Sequence, residues 1–313
     1  MNTTAPTTHK WRFATDETPS LHLRCHKGDV RLIHDALPGE VVVQLTATTA
    51  FDPEVIETRT EGREVFVNVP AMLNPGDTGF GFAVQVGRLS WGIGSVNRVE
   101  IEVHLSPDAD VDVQAEGGDL TCVGPSGRAL LQTGGGDIRL ETATSARVVT
   151  QGGDIHADSI DSGELRTGGG DIRVTKLGEG TVKTGGGDVR IDSIGSGRIE
   201  TGGGDVGVMR AGGDLMVHTG GGDVTVLNCV AATQVRTGAG DVTVEVESGE
   251  VTIGTGAGDI RVTVPRGVPV WQDLHSSFGE VSSRIASRGE PQDGQPYIRV
   301  TARTGTGDVL LQD

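Results

Sequence analysis

Nine aspartates carry the strictest spacing in the chain. Asp119, Asp137, Asp154, Asp171, Asp188, Asp205, Asp223, Asp241 and Asp259 recur at intervals of 18, 17, 17, 17, 17, 18, 18 and 18 residues. Each follows Gly-Gly or Gly-Ala-Gly and precedes Ile, Val or Leu. Carboxylates repeated in this way have three chemistries to choose from. A calcium ladder of the G-G-x-G-x-D-x-U-x type needs a nine-residue step, and only Asp205, Asp214 and Asp223 show one. A phosphate cradle needs G-x-x-x-x-G-K-[ST], which the sequence lacks. Acid–base catalysis needs one place where unlike polar groups interrupt the pattern, and the columns are uniform. The expectation is therefore a structural corner at Asp137, Asp154, Asp171, Asp188, Asp205, Asp223, Asp241 and Asp259, with no catalytic, metal or cofactor residue. Carboxylates stacked about 4.8 Å apart repel by roughly 0.9 kcal/mol per pair even in water. Backbone N–H groups of each aspartate's own Gly turn are expected to offset this, with help from Arg139, Arg173, Arg190 and Arg261, each two residues on.

Two other groups could do chemistry. His22-Leu23-Arg24-Cys25-His26 holds metal-ligand types, but on a strand His22 and His26 share one face and Cys25 takes the other, so the three do not converge. Gly79–Gly94 carries Phe80, Phe82 and Trp91, three of the chain's ten aromatics. That segment is expected either to cap an open core or to contact a partner. The outward stripes Arg166, Lys183 and Arg236 are expected to balance neighbouring acids.

The elements that position these residues follow from the repeat. In Asp171–Thr184, Ile172 and Val174 alternate with Arg173, Leu177 begins a second short side, and Val182 and Thr184 mark a third. Three short sides with Gly-rich corners in 17–18 residues describe one rung of a β-solenoid. A single rung cannot bury its few aliphatics, whereas stacked neighbours can. Ile138, Ile155, Ile172, Val189, Val206, Val224, Val242 and Ile260 then form an interior column. Thr133, Thr150, Thr167, Thr184, Thr201, Thr219, Thr237 and Thr255 form another. The recurrence of glycine at every corner predicts a residue with φ > 0 there. The expected fold is an all-β, single-chain right-handed β-solenoid, the hand being that of parallel crossovers in general. Residues 1–116 form a β-rich region that starts and caps it. Residues 117–264 are the regular part, and 265–313 hold irregular rungs and a closing strand. Phe278-Gly279-Glu280 and Gly307-Asp308-Val309 read as the last two corners in that order.

Composition narrows the function. Of 313 residues 50 are Gly, and 35 of these lie between Gly117 and Gly258, so the excess belongs to the repeat. The net charge of −17 disfavours nucleic acid. No run is long and apolar enough for a membrane-spanning helix. Without a basic, apolar leader, and with only Cys25, Cys122 and Cys229, the expected compartment is the cytoplasm.

The Thr-Gly-Gly-Gly-Asp-[Ile/Val] corners resemble the bacterial "putative adhesin" β-strand-repeat family, the toastrack domain. Val99–Asp119, Val262-Thr263-Val264-Pro265 and Thr304–Val309 fit the same pattern. The resemblance implies the solenoid fold, an unknown function with no catalytic residues, and an envelope-related ligand or protein partner. The reading that follows is a non-enzymatic scaffold or binding protein, with a second copy of the chain among its expected partners. The alternatives are a polysaccharide-acting hydrolase or lyase and a self-assembling structural element.

Overall fold

The computed structural model describes residues 6–71, 84–86, 89–91, 98–285 and 297–313. The chain forms two compact units, Met1–Thr144 and Ser145–Asp313. The first contains β1 (Thr7–Ala14), β2 (Ser20–Lys27), β3 (Asp29–Ile33), β4 (Glu40–Ala47), β5 (Glu57–Glu61), β6 (Glu64–Val69), β7 (Val84–Val86), β8 (Leu89–Trp91), β9 (Val99–Leu105), β10 (Asp110–Gly117) and β11 (Leu120–Thr133). Strand β12 (Ile138–Thr150) contains the boundary. The second continues with β13 (Ile155–Thr167), β14 (Ile172–Thr184), β15 (Val189–Thr201), β16 (Val206–Val208), β17 (Leu215–Thr219), β18 (Val224–Cys229) and β19 (Thr233–Ala239). It ends with β20 (Val242–Val246), β21 (Glu250–Ala257), β22 (Ile260–Thr263), β23 (Val270–Phe278), β24 (Val281–Ser283), β25 (Ile298–Thr306) and β26 (Val309–Gln312). The fold is all-β, a β-solenoid-like repeat.

In the second unit the 17-residue period becomes a parallel register. Ile155 pairs with Ile172 and Ile172 with Val189, while Thr167, Thr184 and Thr201 line up in the same way. Like side chains therefore stack, and every member of the Ile/Val column is at most 1% exposed. The threonines are buried for a further reason. Thr184 Oγ1 donates to the Gly170 carbonyl one rung away (2.8 Å) and accepts from Gly187 N–H in its own corner (3.1 Å). Thr167 and Thr201 do the same. One hydroxyl thus satisfies two backbone groups that the turn leaves out of the strand ladder.

The aspartates are corners, but their bonds are not the local ones expected. Asp154 Oδ1 accepts the backbone N–H of Asp171 (2.8 Å), Asp171 Oδ1 that of Asp188, and Asp188 Oδ1 that of Asp205 (2.9 Å each). The ladder continues through Asp223, Asp241 and Asp259 to Asp308. In the first unit Asp119 N–H donates to Asp29 and Asp137 N–H to Asp119, so Lys27-Gly28-Asp29-Val30 is a corner as well. A rung spacing near 4.8 Å brings the next N–H to the carboxylate while the aspartate's own turn curves away. The arginine offset is weak: Arg173–Asp171 and Arg190–Asp188 are 3.6 and 3.9 Å apart and exposed.

The glycine expectation also needs correction. Gly168–Gly170, Gly185–Gly187 and Gly202–Gly204 contain no positive φ, although Gly240 and Gly258 have φ of 144° and 140°. In the central rungs close approach is the constraint. A Cβ on Gly187 would lie 2.0 Å from the Gly170 carbonyl oxygen, while one on Gly186 would meet nothing within 4 Å.

Sequence order and spatial order part company at both ends. In the first unit β2 lies between β6 and β10, and β3 between β9 and β11, all parallel. The antiparallel strands β4, β1 and β5 extend these sides outward. In the second unit β25 pairs with both β21 and β23, and β26 with both β22 and β24. The corner at Asp308 therefore precedes that at Glu280 in space, the reverse of the expected order; Glu280 N–H donates to Asp308 Oδ1 (2.8 Å).

Candidate functional site

One face of the first unit abandons the uniform columns. Strands β5, β6, β2 and β10 lie side by side, and their register assembles two rows of outward side chains. Arg59 stands opposite Phe66, Phe66 opposite His22, and His22 opposite Asp112. The next row is Glu57, Asn68, Arg24 and Gln114. These residues line a groove of about 630 Å³. Alternation explains the placement, because Leu21, Leu23 and Cys25 of β2 and Val65, Val67 and Val69 of β6 point into the core.

The first row is a continuous stack. The Arg59 guanidinium carbon lies 4.5 Å from the Phe66 ring centre. The Phe66 ring lies 4.8 Å from that of His22 at an interplanar angle of 13°. His22 Nε2 is 2.5 Å from Glu64, and its Nδ1 is 3.5 Å from Asp112. Burial alone would raise the Glu64 carboxyl, but hydrogen bonds from His22 and Ser20 and the charges of His22 and Arg63 outweigh it and lower it. In the second row Asn68 Nδ2 donates to Glu57 (3.0 Å). Arg24 is exposed between two amides and makes no ion pair among the described residues. The face can hold a planar or apolar group against the Phe66 edge and an anionic or hydroxyl oxygen at Arg24.

As expected, His22 and His26 share this outer face and Cys25 is buried beneath it, its thiol pushed up to about 12 chiefly by burial. His26 pairs instead with Glu116 (2.6 Å). Phe80 and Phe82 lie outside the described residues. Trp91 ends β8, which pairs with β7 in a two-stranded antiparallel ribbon.

A second constellation, invisible in the spacing, sits in the core of the same unit. His34 Nδ1 lies 3.0 Å from the Ser106 carbonyl, which accepts only, so this nitrogen carries the proton. Nε2 then accepts from Ser126 Oγ (2.9 Å), which in turn lies 3.2 Å from Cys122 Sγ. The order thiol, hydroxyl, imidazole is that of an activated nucleophile. All three side chains are buried, however; burial lowers His34 and pushes the Cys122 thiol up to about 11. The chain of bonds is a satisfied core network.

The regular rungs and their corners are matched by a model of the Toastrack DUF4097 family over residues 73–312. Among solved structures, a "putative adhesin" of Parabacteroides distasonis is 9% identical, with 98% of this chain and 97% of that chain covered and a TM-score of 0.41. A "putative lipid binding protein" of the same organism is 9% identical over 98% and 96% of the two chains, with a TM-score of 0.39. A "putative adhesin" of Bacteroides fragilis is 11% identical over 97% of each, with a TM-score of 0.35. No protein among the curated ones matches. On the family match, which spans more than half of its length, this chain belongs to the Toastrack DUF4097 family.

Proposed function

We propose that the protein is a non-catalytic binding scaffold whose ligand-facing surface is the β5–β6–β2–β10 face. The observation that carries this is the row Arg59–Phe66–His22–Asp112. It sets an aromatic stack beside Arg24, whose guanidinium makes no ion pair among the described residues. Such a face suits a ligand that offers a flat or apolar patch and an anionic oxygen together. Material from the native host retained on the immobilised protein should be lost with Arg24→Glu and reduced with Phe66→Ser. Equal retention by both variants and the wild type would reject this face.

One observation favours a second reading, polysaccharide cleavage: Glu64 and Asp112 both face His22. Glycosidic bond cleavage asks for one carboxyl held protonated near neutral pH. Glu64 is lowered instead, and one imidazole serves both carboxylates. Release of reducing ends from polysaccharide by the wild type, abolished by Glu64→Gln, would replace the binding reading with the enzymatic one. A cytoplasmic setting is part of the proposal, supported by three buried free thiols. Recovery of the protein in the envelope fraction of the host would contradict it.

A further inference from the structure

Strand β23 is the outermost strand of its side in the second unit. Strand β25 pairs with one of its edges, and among the described residues no strand pairs with the other. The register fixes which backbone groups face that free edge. Ile298 N–H donates to the Pro269 carbonyl, and Val270 stands opposite Ile298. By the alternation of a parallel ladder, Trp271, Asp273 and His275 turn both N–H and C=O toward β25. Gln272, Leu274 and Ser276 turn theirs outward, and no backbone bond occupies them among the described residues. Six of the nine residues of the strand are exposed, Trp271 at 41% and Phe278 at 78%, and Val270, Leu274 and Ser276 are half-buried. Five regular residues with three outward donor–acceptor pairs form a template for another strand.

We propose that this edge pairs with the same edge of a second copy, antiparallel, about a two-fold axis at Leu274. The side chains select both the partner and the register. Only even-numbered residues offer free backbone groups, so an antiparallel self-pairing centres on one residue of the strand. Centring on Asp273 sets the two Asp273 carboxylates against each other, and centring on His275 sets the two imidazoles together. Centring on Leu274 sets Asp273 against His275 of the second copy, twice, in the closer non-hydrogen-bonded pairs. It also sets Leu274 on Leu274, Gln272 opposite Ser276, and exposed Phe278 by Val270. Asp273 already accepts a bond from Arg303 of β25 in its own chain (2.8 Å), and the second carboxylate oxygen is left for His275 of the second copy. An interface of this kind is isologous and closes at two copies.

Sedimentation of the full chain tests this. The wild type should run as a dimer of the 32.4-kDa chain. His275→Glu, which places like charges at both pairs, should weaken the dimer by about tenfold or more. Adding Asp273→Lys to His275→Glu places opposite charges at both pairs and should restore the dimer. Leu274→Cys should form an intermolecular disulfide on mild oxidation, since hydrogen-bonded antiparallel partners sit about 5.5 Å apart. The native cysteines are buried and do not compete. A wild type that stays monomeric at every accessible concentration overturns the proposal. So does a dimer indifferent to His275→Glu, or failure of both the charge swap and the Leu274→Cys cross-link.

Discussion

At the corner of each central rung the outer two of three adjacent glycines lie against a carbonyl oxygen of the rung before and the middle one does not, and this separates their mutational effects. Gly186→Ala meets open space at ordinary φ, so its denaturation midpoint should stay within about 0.5 kcal/mol of wild type. Gly187→Ala would place a methyl 2.0 Å from the Gly170 carbonyl oxygen and should cost about 2 kcal/mol or more. Equal midpoints for the two in urea would refute close approach as the constraint. Thr184→Val keeps the shape but strands the Gly170 carbonyl and Gly187 N–H, with an expected loss of about 1–3 kcal/mol. Two histidines should titrate in opposite senses. His104 is raised above 6.5, first by its hydrogen bond to Asp35 (2.7 Å). Its contribution is full below 6.5 and is lost as pH rises through the folded value. His34 is lowered, chiefly by burial, so stability falls as pH drops below 6.5 and the unfolded chain takes up the proton. An NMR titration should show the two midpoints on either side of 6.5, and Asp35→Asn should bring that of His104 back down.

The elements show where sequence order stops being a guide. Period and parity were enough to place β13, β14 and β15, because each rung rests on its sequence neighbour. They were not enough at the C-terminal end, where intervals of 21 and 28 residues separate Asp259, Glu280 and Asp308. A chain that runs out to β23–β24 and returns through β25–β26 leaves the same corner motifs as one that runs straight. Pairing, not motif, distinguishes them. The returning strands are therefore the inner support of an earlier segment. Removal of residues 298–313 should leave β23 and β24 without partners and open them to proteolysis and rapid amide exchange. Continued protection of 270–283 in the truncated chain would show that the expected order was right. The groove was illegible for a related reason. Residues 22, 59, 66 and 112 share no interval, and only the insertion of β2 between β6 and β10 sets them in one row.

Over the whole chain a net charge of −17 is carried by a fold that lines up carboxylates. From Asp154 to Asp259 one oxygen of each ladder carboxylate accepts a backbone N–H of the next corner. Melting temperatures in EDTA and in millimolar calcium should agree, whereas sodium chloride should raise the midpoint by screening the remaining repulsion. A large rise with calcium alone would return the aspartates to metal chemistry. The aspartate ladder of the second unit also has a direction: each carboxylate from Asp154 to Asp259 serves the N–H of the next corner, and none needs to know how many corners follow. A 17-residue segment such as 172–188 contains one acceptor, one donor, one threonine clamp and one copy of each core column. Copying it in tandem creates one new junction, at which the aspartate and threonine bonds and the core columns are all reproduced. The number of rungs is thus a free parameter of the gene, adjustable in steps of 51 nucleotides, and a protein carrying one extra copy should fold with its melting temperature undiminished.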